Sequence, residues 1–296
     1  MKVLHVGDCG VDRYVDIRAD RPGGISLNFA ANALLCFAPD DEIGVLTVLG
    51  HDREASIVEE SLTGFGLDAM IAYQDDITPI QYIDRDPGGE RHFLRYDAGA
   101  LARHRLTAPE AARIAASDVV VTTVFPEIID FFETVAAAVA PANGLRVLDY
   151  CNPGPPEDRL AYPRRFTPLF DLAFISCDAA DGARLDALEA IARESGHLIV
   201  ATLGGEGSMA LGGKDRVFCP PRRVADVVDT TGAGDTFAAG FLSVYSKGGS
   251  IADALARGTA EAARTVRHMG AFPAEMIPWP ADAPAEWLTM GNREHS

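Results

Sequence analysis

Short apolar runs alternate with stretches of helical period from residue 3 to residue 203, and this alternation limits the chain's possible folds more than any other feature. The runs at 3–7, 43–49, 67–72, 119–124, 145–148, 172–175 and 197–203 read as strands, and those at 53–65, from 108, 128–139 and 180–193 as helices. Strands separated by helices of this length build a parallel sheet covered on both faces. With 296 residues and 48% hydrophobic content, the chain can bury one large α/β core.

Residues 80–96 break the rhythm. Gln81-Tyr82-Ile83-Asp84-Arg85 and Arg91-His92-Phe93-Leu94-Arg95-Tyr96 flank Asp86-Pro87-Gly88-Gly89, the pattern of a β-hairpin inserted between α/β units. Such a hairpin serves as a lid over a cleft, or as an edge that pairs with another subunit. Tyr82 and Phe93, one on each arm, are its candidate substrate contacts.

The chemistry concentrates in Asp229-Thr230-Thr231-Gly232-Ala233-Gly234-Asp235-Thr236-Phe237, between a β-rich run at 224–228 and a helical stretch at 233–247. Gly232 and Gly234 allow a sharp turn and close approach, so N–H groups at a helix start can converge on an anion. Asp235 among those donors makes sense as a base that takes a proton from a hydroxyl while the N–H groups stabilise charge on the group under attack. As an isolated string, the same residues also describe a Gly-rich turn with a helix-capping Asp.

Two N-terminal features could hold a substrate. Asp8 lies just past the first strand, where open parallel sheets place ligands, and Asp12 follows four residues later; both can accept hydrogen bonds from a polyol, or are merely solvated loop acids. Gly23 and Gly24 precede a helix beginning near Ser26, with Asn28 one turn in. Asp149 also follows a strand, and Asp52 is most simply a helix cap. A helix from Ile251 to about His268 is followed by Gly270-Ala271-Phe272 and then a Pro-rich tail without a motif.

Other classes are excluded. A net charge of -17 argues against a nucleic-acid surface, which needs clustered Lys and Arg. No apolar run reaches the ~18 residues of a membrane span, and no signal peptide opens the chain, so a soluble cytoplasmic protein without membrane partners is expected. Cys9, Cys36, Cys151, Cys177 and Cys219 are unpaired in spacing and read as free thiols, and the histidines show no metal-ligand motif. The 207–214 stretch is no Walker A loop, with Ser208 and Asp215 at key positions, and the Gly232 turn lacks the third glycine of a dinucleotide fingerprint.

In this order, the chain resembles the ribokinase-like PfkB family of carbohydrate and nucleoside kinases over roughly residues 3–272. Asp229 to Asp235 with Ala239-Gly240-Phe241 carries one signature, and Gly23, Gly24, Asn28 and Ala30 the other. The resemblance implies a single ribokinase-like α/β domain over 1–296, with a β lid contributed mainly by about 78–98. It implies transfer of the ATP γ-phosphoryl group to an alcohol, with Asp235 as base and Gly232, Ala233 and Gly234 in the anion hole. Asp8, Asp12, Gly24 and Asn28 then correspond to substrate contacts. Thr202, Gly204, Gly207, Thr230, Gly232, Gly234, Thr259 and Ala263 correspond to the nucleotide side, and the lid to a homodimer clasp. Magnesium is expected with ATP, although Ser176-Cys177-Asp178-Ala179 replaces the family's Asn-x-x-Glu and leaves Asp178 or Asp181 as partial substitutes. Within the family the chain is most similar to fructoselysine kinases; ribose, fructose, a deoxy-ketogluconate and nucleosides stay open as substrates, and a non-catalytic sensor is the rival class.

Overall fold

A computed structural model describes residues 1–85, 91–151, 158–268 and 270–272. The hairpin turn Asp86 to Gly89, the Asn152-Pro153 pair and the Pro-rich tail lie outside the described residues. The chain starts with β1 (Lys2–Val6), β2 (Gly10–Tyr14), β3 (Ala19–Gly23) and α1 (Ile25–Cys36). It continues through β4 (Glu42–Leu49), α2 (Arg53–Phe65), β5 (Asp68–Tyr73), β6 (Ile80–Arg85) and β7 (Arg91–Asp97). The middle third comprises α3 (Ala108–Ala115), β8 (Val119–Thr123), α4 (Ile129–Val139), β9 (Leu145–Tyr150), α5 (Ala161–Phe166), β10 (Leu172–Ser176) and α6 (Gly182–Ser195). Then follow β11 (Leu198–Thr202), β12 (Ser208–Leu211), β13 (Val217–Cys219), α7 (Ala233–Tyr245) and α8 (Ile251–Thr265).

Nine strands form one sheet in the order β13-β12-β11-β10-β9-β8-β1-β4-β5, parallel from β11 to β5 and antiparallel at β12 and β13. Its inner strands, such as β4, β8 and β10, are buried on both faces, as the continuous apolar runs require, whereas the edge strands β5 and β13 are partly exposed. Phe131 and Phe132 of α4 and Leu188 of α6 pack into one core, whereas Phe29 of α1, Leu62 of α2 and Phe241 of α7 pack into the other. The expected parallel α/β architecture is therefore present. All five cysteines are free, and no described helix is long and apolar enough to cross a membrane.

The lid is larger than the hairpin. A separate four-stranded sheet has the order β3-β2-β6-β7, so residues 10–23 supply half of it. The charged Asp12, Arg13, Asp20 and Arg21 hide these strands from a hydrophobicity pattern, and Pro22 is tolerated because β3 is an edge strand. Arg13 pairs with Asp20 at 2.7 Å and with Glu54 of α2, tying the lid to the body.

The 224–228 run forms no strand, contrary to its composition. The Val228 N–H donates to Val266 O at 2.8 Å, beyond the end of α8, and Val227 and Val228 remain more than half exposed. β-propensity reflects a pleated, half-buried surface, and none is offered there.

Candidate active site

The strand order places the site. The chain runs from β1 outward through β4 and β5, then returns to β8 on the other side of β1. That reversal opens a crevice at the carboxyl ends of β1 and β8, where open α/β sheets bind ligands. Asp8 follows β1 and Phe125 and Glu127 follow β8, and all three line a cavity of about 890 Å³. Gly10, Asp12 and Gln81 of the lid sheet line it too, as do α1, through Gly24 and Asn28, and the 227–232 loop.

Buried polar atoms point to what this cavity holds. Asp8 and Asn28 are 4% and 7% exposed, yet Asp8 Oδ1, Asn28 Oδ1 and the Tyr96 hydroxyl have no hydrogen-bond partner among the described residues. A buried polar atom left unpaired costs about 1–3 kcal/mol, so such atoms at a cavity wall suit a ligand rich in hydroxyls. Gly24 makes this wall close-packed: at φ 96°, a Cβ there would come within 2.6 Å of Asp8 O.

The helix start at α7 is held from outside. Gly232 adopts φ 71° and packs against Ala271, where a Cβ would clash. Asp229 Oδ1 accepts from Thr231 N at 3.0 Å and Thr231 Oγ1 at 2.8 Å, while Oδ2 accepts from Gly270 N at 2.7 Å. No side chain caps α7. Ala233 N–H is tied back to Thr230 O at 3.2 Å, so the N–H groups left over in the first turn are those of Gly234 and Asp235. Four orphan donors are the rule at a helix start, and an uncapped one attracts anions.

Asp235 lies in this first turn, with the Asn28 side chain beside it. Burial pushes its carboxyl up to about 7; the nearby Asn28 amide opposes this, and the Asp12 charge adds to it. Burial likewise raises Asp8 and Asp149 to about 8, with the charge of Asp235 contributing to both. Asp8, Asp149 and Asp235, from beyond β1, from β9 and from the start of α7, thus keep protons near neutral pH, through burial first and mutual repulsion second.

Sequence-predicted residues divide into two groups. Asp8, Asp12, Gly24, Asn28, Thr230 and Gly232 line the cavity, and Asp235 lies near Asn28. Gly23 sits at the end of β3 against the Asp12 carboxylate, and Phe93 lines the cavity while 65% exposed. Tyr82 is absent from the wall: the pleat pairs it with Arg95, whose guanidinium stacks on its ring at 4.3 Å, and Gln81 faces the cavity instead. Thr202, Gly204 and Gly207 gather at the β11–β12 turn, where the Ser208 and Thr259 hydroxyls meet at 3.2 Å; Ala263 follows one turn later on α8. This group lies outside the cavity wall. Asp178 Oδ1 accepts from Ala180 N and Asp181 Oδ1 from Arg184 N, the latter as the N-cap of α6. The described residues contain no group of three or more His, Cys, Asp or Glu suited to a metal.

Sequence reasoning left out Gln81, Tyr96, Phe125 and Glu127 as site residues, and left Asp149 without a role. The rule that ligands gather beyond strand carboxyl ends applies to β8 as much as to β1 and could have found Glu127.

Comparison with known proteins agrees with this geometry. The pfkB family carbohydrate kinase profile matches residues 14–276. Fructoselysine 6-kinase from Shigella flexneri is 30% identical over 275 residues, covering 92% of this chain and 100% of its own. Fructosamine kinase FrlD from Bacillus subtilis (strain 168) is 30% identical over 277 residues, covering 92% and 93%. The structure of Arabidopsis thaliana ribokinase complexed with ribose and ATP superposes with a TM-score of 0.75 at 21% identity, covering 99% of each chain, and shares the fold.

Proposed function

Because the chain belongs to the pfkB family of carbohydrate kinases and is an ATP-dependent sugar kinase, we propose that its acceptor is a ketose carrying an amine, a fructosamine, phosphorylated on a hydroxymethyl group. The cavity carries this reading. Asp8, Asp12, Glu127 and Asp229 line it, and among the described residues no Lys, Arg or His does. A sugar acid such as a deoxy-ketogluconate needs a cationic partner for its carboxylate, and this wall has none to offer. A cationic amine is matched in sign.

Asp8 and Asn28 take the sugar hydroxyls through their unpartnered oxygens. Asp235, beside Asn28, accepts the proton of the hydroxymethyl group as its oxygen attacks, and the N–H groups of Gly234 and Asp235 stabilise the charge that grows on the transferred phosphoryl group. Thr202, Gly204, Gly207, Thr259 and Ala263 hold the nucleotide, and Thr230 and Gly232 meet its phosphate end. Among the described residues no group of three or more His, Cys, Asp or Glu is suited to a metal; Mg²⁺ bound with ATP would neutralise charge on the phosphates. Asp235 in place above an uncapped helix start gives the non-catalytic sensor reading no support.

We include in the proposal a single domain with a four-stranded lid, a homodimer formed through that lid, and action in the cytoplasm. The exposed Phe93 and Leu94 and the open edges of β3 and β7 support the dimer.

A phosphate-transfer screen over N-alkyl fructosamines, fructose, ribose, 2-dehydro-3-deoxygluconate and adenosine tests the acceptor. The highest kcat/KM is expected for a fructosamine; a sugar acid or nucleoside in first place overturns it.

A further inference from the structure

We propose that Glu127 is the residue that selects a cationic amine on the substrate, acting with the aromatic wall formed by Phe93, Tyr96 and Phe125. The inference rests on the fructosamine reading above and assigns the reading of the amine to one side chain.

Glu127 follows β8 in a short 3-10 turn, Pro126–Ile128, at the carboxyl end of the strand beside β1. It is exposed and lines the cavity, and it has no ion-pair or hydrogen-bond partner among the described residues. The other acids there are committed: Asp229 holds the loop before α7, and Asp8 and Asp12 belong to the group coupled to Asp235. Glu127 is not among the charges that raise Asp8, Asp149 or Asp235; its charge reaches Tyr96, which it shares with Asp8, and Tyr162.

Its surroundings are aromatic. Tyr96 and Phe125 meet edge to face at 5.3 Å, both line the cavity, and Phe93 reaches it from β7. The Tyr96 hydroxyl is buried without a partner. A carboxylate beside aromatic rings suits an alkylammonium, whose charge the acid balances and whose carbons the rings cover. In a ketose linked to an amine through its first carbon, the amine and the terminal hydroxymethyl lie at opposite ends of the sugar chain. Asp235 and Glu127 provide for those two ends separately.

The test measures kcat and KM of the wild type and Glu127→Gln with an N-alkyl fructosamine, its N-acetyl derivative and fructose, with thermal melting to confirm folding. The wild type is expected to prefer the amine over the N-acetyl compound. Glu127→Gln is expected to lower that preference about tenfold, mainly through KM, in line with a hydrogen bond to a charged group. A preference that survives the substitution overturns the assignment. So does a wild type that uses ketoses but does not distinguish the amine from the acetyl derivative, a result that leaves ketose phosphorylation standing. A wild type that turns over only sugar acids or nucleosides overturns both the acceptor and this inference.

Discussion

The side chain of Asn28, in the first turn of α1, lies beside Asp235, in the first turn of α7, and favours its carboxylate form. The two helices come from opposite ends of the chain and pack in one core. Asn28 therefore restrains the rise in the Asp235 pKa that burial produces.

Removing the Asn28 amide should move the pH profile. With Asp235 near 7 in the intact protein, kcat/KM is expected to rise with pH through about 7 as the base deprotonates. Asn28→Ala takes away a donor that favours the carboxylate, so the ascending limb should shift to higher pH, accompanied by a larger sugar KM. A limb that stays in place would detach Asn28 from Asp235.

Asp235→Asn should retain the fold and lose turnover by ~10²–10⁴, the usual worth of a positioned general base. Steady-state assays with each accepted sugar, beside circular dichroism, check this. Retained turnover would remove Asp235 from the mechanism.

The buried carboxyls should make the protein less stable in alkali. Asp8 and Asp149 at about 8 and Asp235 at about 7 lie above their unfolded values, so the folded state binds more protons than the unfolded one. Their contribution is fully present below about 4, where both states are protonated, and is lost as pH rises through 7–8. Thermal melting of Asp149→Asn between pH 5 and 9 should fall less steeply with pH than that of the wild type.

Asp229→Ala breaks the link between the α7 loop and Gly270 as well as the turn at Thr231. Unfolding in urea should show a loss of about 1–3 kcal/mol, the cost of orphaned donors, and kcat/KM should drop because Gly232 is no longer held in its left-handed conformation. An unchanged kcat/KM would mean that the loop keeps its shape without Asp229.

Much of this was legible in the sequence where the cause is local. Residues 53–65 form α2 as read, with Asp52 accepting from Ala55 N as N-cap and Gly66 at φ 71° as C-cap. The helix start at Asp235 was readable because glycines and an acid at that spacing have few local uses. The strands β2 and β3 were not, because their residues are charged and their stability comes from pairing with β6 and with α2. That Gln81 rather than Tyr82 lines the cavity was not readable either, because alternation along β6 gives two faces and only the packing of the lid sheet decides which one meets the cavity.

By itself the sequence determined the alternating α/β order, the uncapped glycine turn of α7 and the acid within it, since period, propensity and turn chemistry act over a few neighbouring residues. Only the tertiary structure decided that the charges of Asp12 and Asp235 reach Asp8 and that of Asp235 reaches Asp149, that Glu127 lines the cavity with Tyr96 and Phe125, and that the lid has four strands. Burial and charge coupling depend on which distant segments approach one another, and no local window of sequence contains that distance.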